Sequence, residues 1–192
     1  SAQISANIPG PSDDVHDERP ADVRSIDPVP GLVDAAREGD KDAFGRLYRI
    51  HSAAITRMVR FHLGADHEDA VSEVFVRAWS ALPRYRVTGA PFSAWLYGIA
   101  RHVVTDEIRR RIRTTPSDRI PDGVTPAAGE DRLMIAEALA KLPDTQRQVI
   151  ELKYLLGMKN PEVAEALGIS TGAVNAKQWR ALAALRTSLE ER

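Results

Sequence analysis

Pro161-Glu162-Val163-Ala164-Glu165-Ala166-Leu167-Gly168-Ile169-Ser170-Thr171-Gly172-Ala173-Val174 reads as two helices joined by a tight turn. Ala164, Leu167, Ile169 and Val174 are the apolar positions that lock such a pair at a steep angle, and small Ala164 lets the two backbones approach. Gly168 is placed for a positive-φ cap at the end of the first helix. Asn160 before Pro161 supplies an N-cap with proline at the first helical position. The second helix offers Thr171, Gly172, Asn175, Lys177, Gln178 and Arg180 outward. Asn and Gln pair with adenine edges, whereas Lys and Arg suit guanine or phosphate. A DNA-reading helix-turn-helix accounts for this arrangement, and a helical hairpin with a solvated polar face is the plainer alternative.

The signals upstream of this motif are also helical. Asp131–Lys141 and Thr145–Leu156 precede it, separated by the Leu142-Pro143 break, and Thr171–Leu189 completes it. Before them, Thr114–Gly129 is rich in Pro, Asp, Thr and Gly, the composition of a connection between domains. Residues 31–113 form another unit. Asp40 can cap a helix carrying Phe44, Leu47, Tyr48, Ile55, Met58 and Val59, which Gly64 stops. A helix from about Glu68 buries Val71, Val74, Phe75, Ala78 and Leu82 and ends at Pro83. A third, Ser93 to about Arg113, turns Leu96, Ala100, Val103, Val104 and Ile108 inward. No alternating strand pattern interrupts them. The expectation is an all-α chain: an acidic, disordered lead-in over 1–30, a helical domain at 31–113, a flexible linker at 114–129, and a second domain at 130–192 containing the helix-turn-helix. With no apolar face on the linker to dock it, the two domains are expected to fold as independent units.

Composition narrows the chemistry. The chain has 192 residues and no cysteine, which removes disulfides and Cys-based zinc sites. No apolar run approaches the roughly 20 residues that span a bilayer, so no membrane insertion is expected. Ser1–Pro11 lacks the basic and apolar regions of a secretion signal, and the reading is cytoplasmic. No P-loop, nucleophile elbow, paired carboxylates or metal-spaced histidines are found, so no catalytic residue, metal or cofactor is assigned and the protein is not read as an enzyme. The net charge of -1 conceals an asymmetry: residues 1–30 carry six acids against two arginines, and residues 31–113 carry fourteen basic residues against ten acids. The helix-turn-helix unit is neutral. A free-standing DNA binder draws its non-specific affinity from phosphate neutralisation, so this chain is expected to bind duplex DNA poorly by itself.

Two surfaces of the first domain suit macromolecular partners. Asp69, Glu73, Val76, Arg77 and Ser80 share the helix face opposite the core stripe, mixing charge with an exposed valine as at the edge of a protein interface. Their charges are expected to serve a partner rather than an intramolecular network. The segment Arg84–Pro91, with Tyr85 between Arg84 and Arg86, is basic and aromatic, able to stack an unpaired base and hold phosphates. Trp95 and Tyr97 belong to the core as readily as to a DNA face. Arg109-Arg110-Arg111-Ile112-Arg113 forms a basic tip, with more cations than a helix C-terminus alone calls for.

The run Asp69-Ala70-Val71-Ser72-Glu73-Val74-Phe75-Val76-Arg77-Ala78-Trp79 resembles the polymerase-docking segment of extracytoplasmic-function (ECF) sigma factors of bacterial RNA polymerase. Pro91-Phe92-Ser93-Ala94-Trp95-Leu96-Tyr97-Gly98-Ile99-Ala100-Arg101 resembles their promoter-melting segment. Leu142-Pro143-Asp144-Thr145-Gln146-Arg147-Gln148-Val149-Ile150-Glu151-Leu152, with the helix-turn-helix after it, is similar to their C-terminal domain. The resemblance implies that core RNA polymerase and promoter DNA are the partners, and it leaves room for an anti-sigma factor. It implies that Asp69, Glu73, Val76, Arg77 and Ser80 meet a coiled-coil clamp of the largest polymerase subunit. Arg84, Tyr85, Arg86, Trp95, Arg101, His102, Thr105 and Arg109 would meet the downstream element during melting, and Thr171, Gly172, Asn175, Lys177, Gln178 and Arg180 the upstream one. His102 departs from the family's more usual Asn. The competing functions are a free-standing helix-turn-helix regulator, against which the neutral second domain argues, and a helical adaptor, against which the Arg84–Arg86 loop argues.

Overall fold

A computed structural model describes residues 30–114 and 126–190, and among them every regular element is a helix. The acidic lead-in and the middle of the proline-rich linker lie outside the described residues. The first unit contains α1 (Pro30–Arg37), α2 (Lys41–Leu63), α3 (Glu68–Ala81), a 3₁₀ turn at Leu82–Arg84 and α4 (Phe92–Thr114). The second contains α5 (Pro126–Ala140), α6 (Asp144–Ile150) running into a π-helical turn at Glu151–Leu155, α7 (Asn160–Leu167) and α8 (Thr171–Glu190).

Local chemistry sets most of these boundaries. Asp40 caps α2, its carboxylate accepting from the Asp42 and Ala43 amides at 2.8 and 3.1 Å. Gly64, at φ 74°, closes the same helix. Pro83 turns the end of α3 into the 3₁₀ segment. Gly168, at φ 64°, makes the corner of the helix-turn-helix, and Val174, across that corner, is fully buried. The cap of α7 falls one residue earlier than expected: the Lys159 amide donates to the Glu162 carboxylate at 2.6 Å. The Asn160 side chain is left to bond Lys153 and Asn175 instead.

Leu47, Ile55, Met58, Val59, Val74, Leu82 and Leu96 are essentially inaccessible to solvent and form the centre of the first unit. Aromatic pairs close its edges, Phe44 on Trp79 at 4.9 Å and Tyr48 on Phe75 at 4.6 Å between centroids. Two expected inward positions are exposed: Tyr48 at the rim of α2 and Ile108 toward the end of α4, where it borders an open cleft beside Met58 and His62.

The units do not stand apart. Leu152, Leu156, Met158, Val163 and Val174 of the second unit belong to the same continuous apolar core as α2, α3 and α4. Polar contacts reinforce the junction. Arg57 donates to the Leu155 carbonyl at 2.6 Å, and Arg132 to the Phe61 carbonyl at 2.7 Å. The expectation of two separate units overlooked this docking because the apolar side chains that mediate it lie on the helices, not on the linker.

Candidate polymerase and promoter surfaces

α3 turns Ala70, Val71, Val74, Phe75 and Ala78 into the core, which fixes the opposite face outward. Asp69, Val76, Arg77 and Ser80 are exposed and Glu73 is half-buried, with Val76 at 59% exposure. The Ser80 hydroxyl bonds back to the Val76 carbonyl at 3.0 Å. Arg77 corrects the sequence expectation: it bridges Glu73 at 2.7 Å and Asp106 of α4 at 3.1 Å, an intramolecular network. Hydrogen bonds to Glu73 and Asp106 hold the guanidinium above its ordinary pKa. The network borders a groove of about 850 Å³ between α3 and α4, lined by Asp69, Glu73, Arg77, Asp106 and Arg110 among others.

The basic end of α4 divides into two roles. Arg110 and Arg111 both bond Glu107 at 2.8 Å, and those bonds pull its carboxyl down to about 2. Arg111 also donates to the Leu63 and Asp66 carbonyls at 3.1 and 2.9 Å, tying α4 to the end of α2. Arg109 and Arg113 remain exposed.

At the start of α4 the aromatic residues cluster. Arg84 and Arg86 are exposed, but Tyr85 is 8% exposed, with its ring 5.5 Å from Phe92 and 4.9 Å from Trp95. A stacking role for Tyr85 therefore does not describe this conformation, in which neighbouring rings occupy its surroundings. Trp95 combines both of its readings. It is half-buried against Phe92 and Tyr85 and borders an open groove with Arg84 and Arg86.

Farther along α4, His102 bonds the Gly98 carbonyl at 2.8 Å and Thr105 the Arg101 carbonyl at 2.8 Å. Both keep exposed positions. Arg101 reaches across to Asp144 at 2.5 Å. The cleft that holds Arg101, His102, Thr105 and Arg109 has Gln148, Leu152, Ala166 and Leu167 of the second unit as its other wall. Tyr97, 5% exposed, is core: it donates to Glu151 at 2.6 Å, and Glu151 also lies 3.3 Å from His62 Nε2. Burial, then the neighbouring Glu151 charge, raise the phenol far above its ordinary pKa.

On α8, Thr171, Gly172, Asn175 and Arg180 are exposed, while Lys177 and Gln178 are half-buried. Asn175 is held by Asn160, and Gln178 donates to the Tyr154 hydroxyl at 3.1 Å. The sequence reading passed over Trp179, which is 73% exposed one turn after Asn175. Its spacing from Val174 and Ala181 was the available signal. Glu151 and His62 were also missed, since only the packing of one unit on the other buries them.

Comparisons with known proteins match two segments of this chain. Residues 47–114 match the Sigma-70 region 2 family and residues 132–185 the Sigma-70, region 4 family. The chain is 36% identical over 183 residues to the ECF RNA polymerase sigma factor ShbA of Streptomyces griseus, covering 85% of this chain and 96% of ShbA. It is 35% identical over 171 residues to the ECF RNA polymerase sigma factor SigL of Mycobacterium tuberculosis, covering 83% and 96%. Among solved structures, CnrH in complex with the cytosolic domain of CnrY superposes with a TM-score of 0.62 at 33% identity, covering 83% of this chain and 96% of that one. A helix-turn-helix unit joined to a region 2 unit, in a chain that covers 96% of the length of such relatives, makes this protein a member of the ECF RNA polymerase sigma factors, directing promoter recognition by the polymerase.

Proposed function

We propose that residues 31–113 dock on core RNA polymerase and engage the downstream promoter element, and that residues 130–192 read the upstream element. The observation that carries this reading is the charged groove between α3 and α4 in a chain that also exposes Arg84, Arg86 and Arg109 on the first unit and the outer side of α8 on the second. The groove between α3 and α4, with Asp69, Glu73 and Arg77, suits a partner helix with its own charged rim. The Arg77 network would have to re-pair with that partner on docking. Arg84, Arg86, Trp95, Arg101, His102, Thr105 and Arg109 form the downstream surface, and Tyr85 joins it once its ring is released from the cluster with Phe92 and Trp95. Thr171, Gly172, Asn175, Lys177, Gln178 and Arg180 serve the upstream element. Because α6 and α7 wall the cleft over α4, engagement of the promoter strand requires the two units to part.

In this reading the chemistry of transcription belongs to the polymerase, and the protein works in the cytoplasm without catalysis of its own. No helix among the described residues is long and apolar enough to cross a membrane. CnrH is seen with the cytosolic domain of CnrY, and a protein partner such as an anti-sigma factor is fitting for the present chain. Run-off transcription with core polymerase tests the proposal. Defined start sites that require the added protein are expected; polymerase binding without any selected start site would overturn it.

A further inference from the structure

The outermost face of α8 is apolar. Val174 and Ala181 are fully buried, so the side turned away from the core runs through Gly172, Ala176, Trp179 and Ala183, all of them exposed. At 73%, Trp179 is the most exposed large hydrophobic side chain among the described residues, and Leu182 beside it is 42% exposed. Meanwhile the polar candidates on one flank are occupied: Asn175 with Asn160, Gln178 with Tyr154. Single exposed apolar residues are ordinary on protein surfaces. A row of four on the outer face of the second helix of a helix-turn-helix has a more specific meaning.

We propose that α8 reads the upstream element chiefly by apolar contact, with Trp179 packed on the 5-methyl group of a thymine in the major groove. Small Gly172 and Ala176 allow close approach of the helix to the base edges, and Arg180 holds a phosphate at the side. This inference rests on the assignment of α8 to the upstream element. Thymine is the one base that presents a methyl group in the major groove; the other bases present only hydrogen-bonding atoms beside their ring edges. An indole pressed on those polar edges would strip their water without replacing its hydrogen bonds. The charge on the helix favours DNA over a protein as the occupant. α8 carries Lys177, Arg180 and Arg186 and has no acid before Glu190, a frame complementary to phosphate.

The test uses holoenzyme assembled from the full chain and core polymerase. Duplexes are first selected from a pool randomised over the upstream element. Each thymine of the selected sequence is then replaced singly by deoxyuridine, which removes only the methyl group. For the natural protein, one replacement is expected to weaken binding roughly four-fold, the transfer value of one methyl-sized group. Trp179→Ala holoenzyme should bind the thymine duplex more weakly and lose nothing further with deoxyuridine at that position. Trp179→Phe should keep part of the methyl dependence. Unchanged thermal unfolding of Trp179→Ala, expected from its exposure, shows that the fold is intact. Equal deoxyuridine losses in both proteins, no loss at any thymine, or a selected element without thymine would overturn the inference while leaving the sigma-factor reading in place. Unaltered duplex selection by Trp179→Ala would also overturn it and assign the face to a protein partner. Failure of the holoenzyme to select any duplex would instead overturn the assignment of α8 on which the inference rests.

Discussion

Glu151 is a carboxylate only 2% exposed, accepting from the Tyr97 hydroxyl at 2.6 Å with His62 Nε2 at 3.3 Å. Burial pushes its pKa up, but the hydrogen bonds from His62 and Tyr97 outweigh burial and hold it below the ordinary carboxylate range. Glu151→Ala would leave the buried phenol without its acceptor, and a loss of about 1–3 kcal/mol is expected in urea unfolding at neutral pH. Glu151→Gln, which keeps an acceptor, should lose less. His51 presents the opposite case. It is 6% exposed, its Nε2 has no hydrogen-bond partner among the described residues, and burial pushes the imidazole down from 6.5 to about 4. Between those values the unfolded chain takes up a proton that the folded form refuses, so stability should fall as pH drops from 6.5 toward 4, by at most on the order of 3 kcal/mol. Glu151 acts lower: with its folded pKa depressed, its contribution is complete above the ordinary carboxylate pKa and disappears as pH falls through the folded value. His51→Leu should flatten unfolding free energy between pH 6.5 and 4 while leaving the steeper loss below it. An unchanged slope in that window would assign the loss to other groups.

Among the helices, the legible signals were those set by local chemistry. Asp40, Gly64, Pro83 and Gly168 act within their own turns, so α2, α3 and the corner of the helix-turn-helix could be read from spacing alone. α1 escaped because eight residues give too short a periodicity, and its Val33 and Ala36 gain burial only against the rest of the first unit. Periodicity predicts one helix through Leu156, but α6 widens into a π turn at Glu151–Leu155, where the Leu156 amide reaches back to the Glu151 carbonyl at 3.2 Å. Val149, Ile150, Glu151 and Leu152 are all buried in succession. No single-faced period describes that run, because α8 packs on one side and the first unit on the other. Gly168 offers a clean test at this scale. A Cβ there would meet nothing within 4 Å, so Gly168→Ala carries only the cost of a left-handed backbone, φ 64°, with a side chain attached. A loss of about 1–2 kcal/mol is expected in urea unfolding. A change much larger would mean that the helix-turn-helix rearranges rather than strains.

At the scale of the whole molecule, the sequence suggests three surfaces and a connection, and the docked arrangement was not legible. The contacts that close it join residues far apart in the chain: Arg57 with Leu155, Tyr97 with Glu151, and Arg101 with Asp144. Arg101 is readable in the sequence as a DNA-facing group and Tyr97 as core or DNA-facing, and only the partner unit supplies the acceptors. The exposed Arg101–Asp144 pair contributes at most about 1 kcal/mol, so closure rests mainly on the shared apolar core with Leu152, Met158 and Val163. The closed form also adds a steric reason to the electrostatic one for weak binding to duplex DNA by the protein alone. If opening is required, a covalent bridge across the cleft must block promoter melting without blocking attachment to polymerase. The chain contains no cysteine, so Gly89→Cys with Glu165→Cys gives a unique reactive pair. The positions suit a short bismaleimide, since a Cβ on Gly89 would stand 3.8 Å from the Glu165 carboxylate. The uncrosslinked double variant should form open complexes, read as permanganate-reactive thymines near the start site. The crosslinked protein should still bind core polymerase through α3 while that reactivity falls at least ten-fold. Equal reactivity before and after crosslinking would mean that the closed arrangement melts DNA as it stands, and the cleft wall formed by Gln148, Leu152 and Ala166 would then be part of the promoter-binding surface.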